Sequence, residues 1–174
     1  MTNRPKDPPL ITLQQVRSLF SYDAETGHLT WVNVTAPSQK HLLGKIAGSL
    51  DMKGRRVVSI MYRNYFVSRL VWLHVHGTWP PAQIDHINRD PSDNRLCNLR
   101  PATAVQNMAN RKVKAKSASG FRGVFFDADR GLWRASIRVS GKRVFIGRFS
   151  TPEAAGDAYR DEKVRLHGEF ALLD

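Results

Sequence analysis

The adjacent pair Asp85-His86 is the part of the chain best suited to bond cleavage. It lies in IDHIN (84–88), a short strand candidate, so the two side chains leave the backbone in different directions. A loop dense in Asp, Asn, Ser and Pro follows, RDPSDNRLCN (89–98). Leu99 begins a return strand, and Thr103 can cap a helix through AVQNMANR (104–111) that carries Asn107. A strand, a loop and a helix can converge a carboxylate, an imidazole and an amide oxygen on one point. Hard oxygen donors suit Mg²⁺, which keeps several waters and takes one or two carboxylates. A neutral imidazole suits a general base, because histidine titrates near pH ~6.5. Such a set can hydrolyse a phosphodiester, with a metal at the phosphate and histidine deprotonating water. Arg111 lies four residues past Asn107, on the same helix face, where it can hold the phosphate. On the residues alone a plain Asp/Asn turn and a solvated helix end account for the same pattern.

These residues need a scaffold. ITLQQVRSLF (11–20) reads as a short helix capped by Thr12, and SYDAETGHLTW as a turn followed by a strand. GKIAGSL (44–50) and RRVVSIMYRNYFV (55–67) read as strands, with Arg63-Asn64 as a tight turn. SRLVWLHVHG (68–77) is ambiguous; Leu70, Val71 and His74 have helical spacing, and Gly77 would stop a helix. His74 and His76 cannot share a helix face and are expected as partly buried or surface groups. KVKAKSAS (112–119) alternates lysine with small residues, as a solvated spacer or a linker lying along phosphates would.

The last 55 residues alternate clearly. In LWRASIRV, Trp133, Ala135, Ile137 and Val139 face one side and Arg134, Ser136 and Arg138 the other. Ser140-Gly141 is a turn, and KRVFIGRF resumes with Val144 and Ile146 opposite Arg143 and Phe145. Thr151, Pro152 and Glu153 start a helix over 152–167 that turns Ala155, Ala158, Tyr159 and Leu166 to the sheet and ends at Gly168. This predicts a three-stranded antiparallel sheet backed by one helix.

The chain has 174 residues with 27 Lys+Arg against 15 Asp+Glu, a formal net charge of +12. That excess favours a polyanion partner. Residues 120–149 hold seven basic residues against Asp127 and Asp129, whereas 150–174 hold six acidic against three basic, so a basic face with an acidic back is expected. No run of about 18 apolar residues exists, which excludes a membrane-spanning helix. The polar, Pro-rich start lacks the apolar stretch of a signal peptide. The single cysteine, Cys97, can form neither an internal disulfide nor a Cys-rich zinc cage, and a reducing, cytoplasmic setting is expected.

The stretch IDHINRDPSDNRLCNLRPATAVQNMANR resembles the ββα-metal core of HNH endonucleases in the version found in phage and intron-encoded homing enzymes. The matching residues are Asp85-His86, Asn98 in "NLR" and Asn107 in "QNMANR". The resemblance implies Asp85 and Asn107 as metal ligands, His86 as general base and Asn98 as the residue bracing the loop and orienting the base. Asn94 and Asn110 are the alternates to the two Asn assignments. The Asp…Asn pairing favours one Mg²⁺ or Mn²⁺ over Zn²⁺. YDAETGHLTW, GKIAG and SRLVWLHVHGTWPP resemble the lead-in of phage HNH proteins, with Ser68 where the family often has His.

Residues 119–174 resemble the AP-two/ethylene-response-factor DNA-binding domain, through FRGV, the W-x-A-x-I strand, RVFIG, TPEAA and HGEFA. A three-stranded sheet fits the major groove of DNA, and the resemblance implies contacts from Arg122, Arg138, Arg143 and Phe145. Arg134 joins them by strand alternation. Plant members carry further arginines and a Trp in the first hairpin, where this chain has FFDADR.

The expected fold is therefore α+β: a ββα-metal HNH core plus a three-stranded antiparallel sheet packed on one C-terminal helix. Residues 1–111 form the N-terminal region and nuclease domain (core 82–111), 112–119 a basic linker and 120–174 the DNA-binding domain. The expected activity is metal-dependent endonucleolytic hydrolysis of double-stranded DNA, by a monomer, in the bacterial host of a phage or mobile element. The alternative is a non-catalytic DNA-binding regulator with a degenerate HNH fold.

Overall fold

The computed structural model describes residues 10–110, 119–139 and 141–171. The chain falls into two compact units, one ending at Thr103 and one beginning at Ala104. Arg111, most of the expected linker (112–118) and Ser140 lie outside the described residues.

In the first unit α1 (Leu13–Leu19) starts at Thr12, as its sequence predicts. The Thr12 hydroxyl accepts from the Gln15 amide and the Gln15 side chain accepts from the Thr12 amide, a reciprocal cap that satisfies two end groups of the helix. β1 (Phe20–Tyr22) pairs antiparallel with β2 (Leu29–Trp31). A second antiparallel sheet holds β3 (Ser49–Leu50), β4 (Arg56–Ile60) and β5 (Arg63–Phe66) in that order. α2 (Val67–His76) follows and stops at Gly77, which takes the left-handed conformation. β6 (Gln83–His86) and β7 (Leu99–Ala102) close an antiparallel hairpin. The core joins α1, α2 and the first two sheets through Val16, Phe20, Leu29, Ile60 and Leu70, all fully buried. Burying each such side chain contributes about 1.5–3 kcal/mol, and together they fix the frame on which the β6–β7 hairpin sits.

Two expectations are corrected here. Within 44–50, continuous strand is confined to Ser49–Leu50, while residues 44–47 pair with β2 only through an isolated bridge of Ile46 with Thr30 and the flanking backbone bonds to Trp31 and Leu29. The tight turn of the β4–β5 hairpin lies at Met61-Tyr62, not Arg63-Asn64. Ile60 pairs with Arg63, so the two residues between them must both take positive φ, and they do (48° and 66°).

In the second unit α3 (Ala104–Ala109) is shorter than predicted. β8 (Val124–Asp127), β9 (Leu132–Val139) and β10 (Lys142–Phe149) form an antiparallel sheet in the order β10-β9-β8. α4 (Pro152–His167) packs across it, capped by the Thr151 hydroxyl, which accepts from the Ala154 amide. Val124, Ala135 and Ala155 form the seam, walled by Phe121, Trp133, Ile146 and Phe149. Gly156 is required there, since a Cβ on it would stand 2.6 Å from the Phe121 ring. Ala155 and Tyr159 are buried as expected, and so is Lys163. The fold is α+β, with a three-stranded antiparallel sheet near the C-terminus.

Candidate functional site

The β6–β7 hairpin sets Asp85 directly opposite Arg100 and His86 opposite Leu99. Asp85 is 4% exposed and accepts from the Arg100 guanidinium (Nε to Oδ2, 2.9 Å). A carboxylate this deeply buried needs such a partner. No sequence pattern singles out Arg100; hairpin register alone places it.

The loop after His86 is tied by its own side chains. The Asn98 side-chain oxygen accepts from the Asn88 amide (2.9 Å), and its NH₂ donates to the Asp93 carbonyl (2.8 Å). Asp93 accepts from the Asn88 side chain and from the Arg95 guanidinium. Asn98 thus spans the loop between its two ends. The imidazole is met by a different amide: His86 Nε2 lies 3.3 Å from Asn94 Oδ1. Asn94 is 2% exposed, and its NH₂ donates to the Ser92 carbonyl, which turns its oxygen toward the ring. A carbonyl oxygen only accepts, so Nε2 carries the proton and Nδ1 the lone pair. Burial lowers the His86 pKa, against the opposing pull of Asn94 and of Asp85, Asp93 and Asp90. The ring is therefore neutral at pH 7, the state a general base requires.

The loop is also held from outside. The Tyr22 hydroxyl on β1 accepts from the Leu96 amide (2.9 Å) and donates to the Asn94 carbonyl (3.4 Å). Gly27, at φ +73° in the β1–β2 turn, lies against the loop so closely that a Cβ there would stand 2.3 Å from the Arg95 nitrogen.

Asn107 lies on α3, in the second unit, and Asn110 is buried just beyond that helix. The oxygens expected as metal donors are the Asp85 carboxylate and the Asn107 amide. Among the described residues no three His, Cys, Asp or Glu side chains gather into a cage, and Cys97 is exposed. This donor chemistry fits a hard, largely hydrated ion rather than zinc. Arg100 on Asp85 matches the way ligating carboxylates are oriented by a second hydrogen bond.

In the second unit the strand register sorts the basic residues. Phe125, Arg134 and Arg148 stand in one row across the sheet, followed by Ser136 with Phe145, then Arg138 with Arg143. All lie on the face opposite α4. Arg134, Arg138, Arg143 and Phe145 therefore share one surface. Arg148 joins them because β10 carries an extra residue between Phe145 and Gly147; strict alternation would send Arg148 inward. Arg134 lies 5.5 Å and Arg148 5.2 Å from the Phe145 ring centre, and Arg143 lies 5.8 Å from that of Phe125. Arg122 stands apart from the rows. It lines a cavity of about 440 Å³ with Arg138, Arg143, Lys163 and His167. Burial, with Lys163 and Arg122 nearby, lowers the His167 pKa.

An HNH endonuclease family model matches residues 65–109, the stretch running from β5 through the hairpin to α3. Protein 3.8 of Escherichia phage T7 is 32% identical over 102 residues, which cover 58% of this chain and 84% of that protein. The AP2-like ethylene-responsive transcription factor CRL5 of Oryza sativa subsp. japonica is 33% identical over 104 residues. TOE2 of Arabidopsis thaliana, another AP2-like ethylene-responsive transcription factor, is 34% identical over 70 residues. These matches cover 55% and 40% of this chain but only 16% and 14% of the two plant factors. No solved structure matches the chain. The hairpin with its histidine, the phage relative covered over most of its length and the plant matches together place the chain: it belongs to the family of phage T7 protein 3.8 and combines an HNH endonuclease domain with an AP2-like C-terminal region.

Proposed function

We propose that this protein is a metal-dependent HNH endonuclease of the homing type, which hydrolyses phosphodiester bonds of duplex DNA. The observation that carries the reading is a half-buried His86 whose Nε2 meets Asn94 Oδ1, on the strand residue next to the buried carboxylate of Asp85. His86 takes the proton of the attacking water at Nδ1 while Asn94 holds Nε2–H. Asn98 keeps the loop closed around them. Asp85 and Asn107 would hold one Mg²⁺ or Mn²⁺, which supplies positive charge to the phosphate and the leaving oxygen. Arg111, four residues past Asn107 in the sequence, holds the scissile phosphate. The products are a 5′-phosphate and a 3′-hydroxyl.

The second half of the reading is the anchor. The sheet of residues 120–174 lies on the duplex through Arg134, Arg138, Arg143 and Phe145, with Arg148 added by the bulge and Arg122 at the margin. The linker at 112–119 then places the core at 82–111 on a nearby phosphate. One core per chain supports one nick per visit by a monomer, inside the bacterial host of a phage or mobile element. No helix among the described residues is long and apolar enough to cross a membrane.

The test is a nicking assay on a long duplex with Mg²⁺, with Mn²⁺ and with EDTA. Wild type is expected to cut with either metal and to stop in EDTA. His86→Ala is expected to bind DNA as wild type does and to cut about 10²–10⁴-fold more slowly, the range for loss of a general base. Equal traces from both proteins would remove the enzyme and leave a DNA-binding regulator.

A further inference from the structure

Two phenylalanines stand half-exposed on the arginine face. Phe125 is 49% and Phe145 47% exposed. Arg134, Arg138, Arg143 and Arg148 surround them on the same surface. Two acidic residues, Asp127 and Asp129, stand at its end, and Asp127 is paired with Arg148 and Arg130. Cation–π contacts hold the rings among the guanidinium groups rather than folded away from them. The face therefore complements a polyanion that also offers apolar surface.

Duplex DNA meets that description at one kind of atom. Along the major groove the base edges present hydrogen-bond donors and acceptors, and the apolar exception is the 5-methyl group of thymine. A phenylalanine pressed against any other edge desolvates polar groups without replacing their hydrogen bonds. We infer that Phe125 and Phe145 make this sheet a reader of thymine methyl groups, while the arginines between them take guanine edges and phosphates. This rests on the DNA-anchoring reading above and adds base preference to it.

The test uses the full-length chain in EDTA, so that binding is measured without cutting. A random-sequence duplex pool is enriched on the protein, and the enriched duplex is resynthesised with deoxyuridine for thymine, which removes only the methyl groups. Wild type is expected to bind the uracil duplex about four-fold more weakly for each methyl read, the value of one buried methyl-sized group. Phe125→Ala with Phe145→Ala is expected to bind both duplexes equally, and Phe145→Leu, which stays apolar, to keep part of the discrimination. Both rings are exposed, so the variants are expected to fold, and a wild-type circular dichroism melt checks this. Equal binding of the thymine and uracil duplexes by wild type overturns the inference and leaves the anchor standing. A pool that is never retained, even at low salt, overturns the anchor and the inference together.

Discussion

His86 receives an oxygen at one ring nitrogen, and that contact decides where its proton sits. Asn94→Ala removes the acceptor and leaves a buried N–H to lose about 1–3 kcal/mol. We expect nicking to slow about 10–100-fold, as for other residues that orient a working group, with DNA affinity unchanged in a gel-shift titration. Asn94 is legible in sequence only as an alternate, because two asparagines four residues apart in one loop look alike there. The structure gives them separate tasks: Asn98 ties the loop and Asn94 meets the imidazole. Asp93 makes a further prediction. Hydrogen bonds from Arg95 pull its carboxyl to about 2 from an ordinary 3.8. The folded value is the lower one, so the stabilisation is complete above the ordinary value and is lost as pH falls through about 2. Melting temperatures of wild type should drop between those limits, and Asp93→Asn should show a shallower acid limb.

The elements that hold the loop come from outside the segment matched by the family model, which starts at residue 65. Tyr22 and Gly27 belong to the β1–β2 hairpin and touch residues 94–96. Gly27→Ala brings a Cβ against the Arg95 backbone at a positive φ, so both space and conformation oppose it. We expect a loss of about 1–3 kcal/mol in a denaturant titration and faster amide exchange at Leu96. Tyr22→Phe, which keeps the ring, should raise Leu96 exchange with a smaller effect on global stability. Sequence patterning predicts most elements here, including the Thr12 and Thr151 caps and Gly77, because caps and alternation are local. It misplaces the β4–β5 turn because Met61 and Tyr62 carry no turn signal; strand register forces them into positive φ. It also passes over Arg148, since one extra residue in β10 breaks the alternation on which such a reading relies.

Across the whole molecule, charge is the property most plainly written in composition. The net +12 predicts binding, and the sheet register shows where much of it is displayed. Affinity for duplex DNA should fall linearly with salt on logarithmic axes. Replacing Arg138 or Arg143 by Gln should lower that slope by about one for each phosphate left without its cation. The pairing of Asp85 with Arg100 is not visible at this scale or in composition, because it depends on which residues face each other across a hairpin.

The surplus residue in β10 has an evolutionary edge. Removing Ile146, a single-codon deletion, would leave Phe145, Gly147, Arg148 and Phe149 opposite Ser136, Ala135, Arg134 and Trp133, the partners they already have, so Arg148 would keep its place on the arginine face. What the missing codon would take away is a side chain packed against the α4 seam. Drift at this position is therefore restrained by the interior of the module, even though no catalytic atom is near it in sequence.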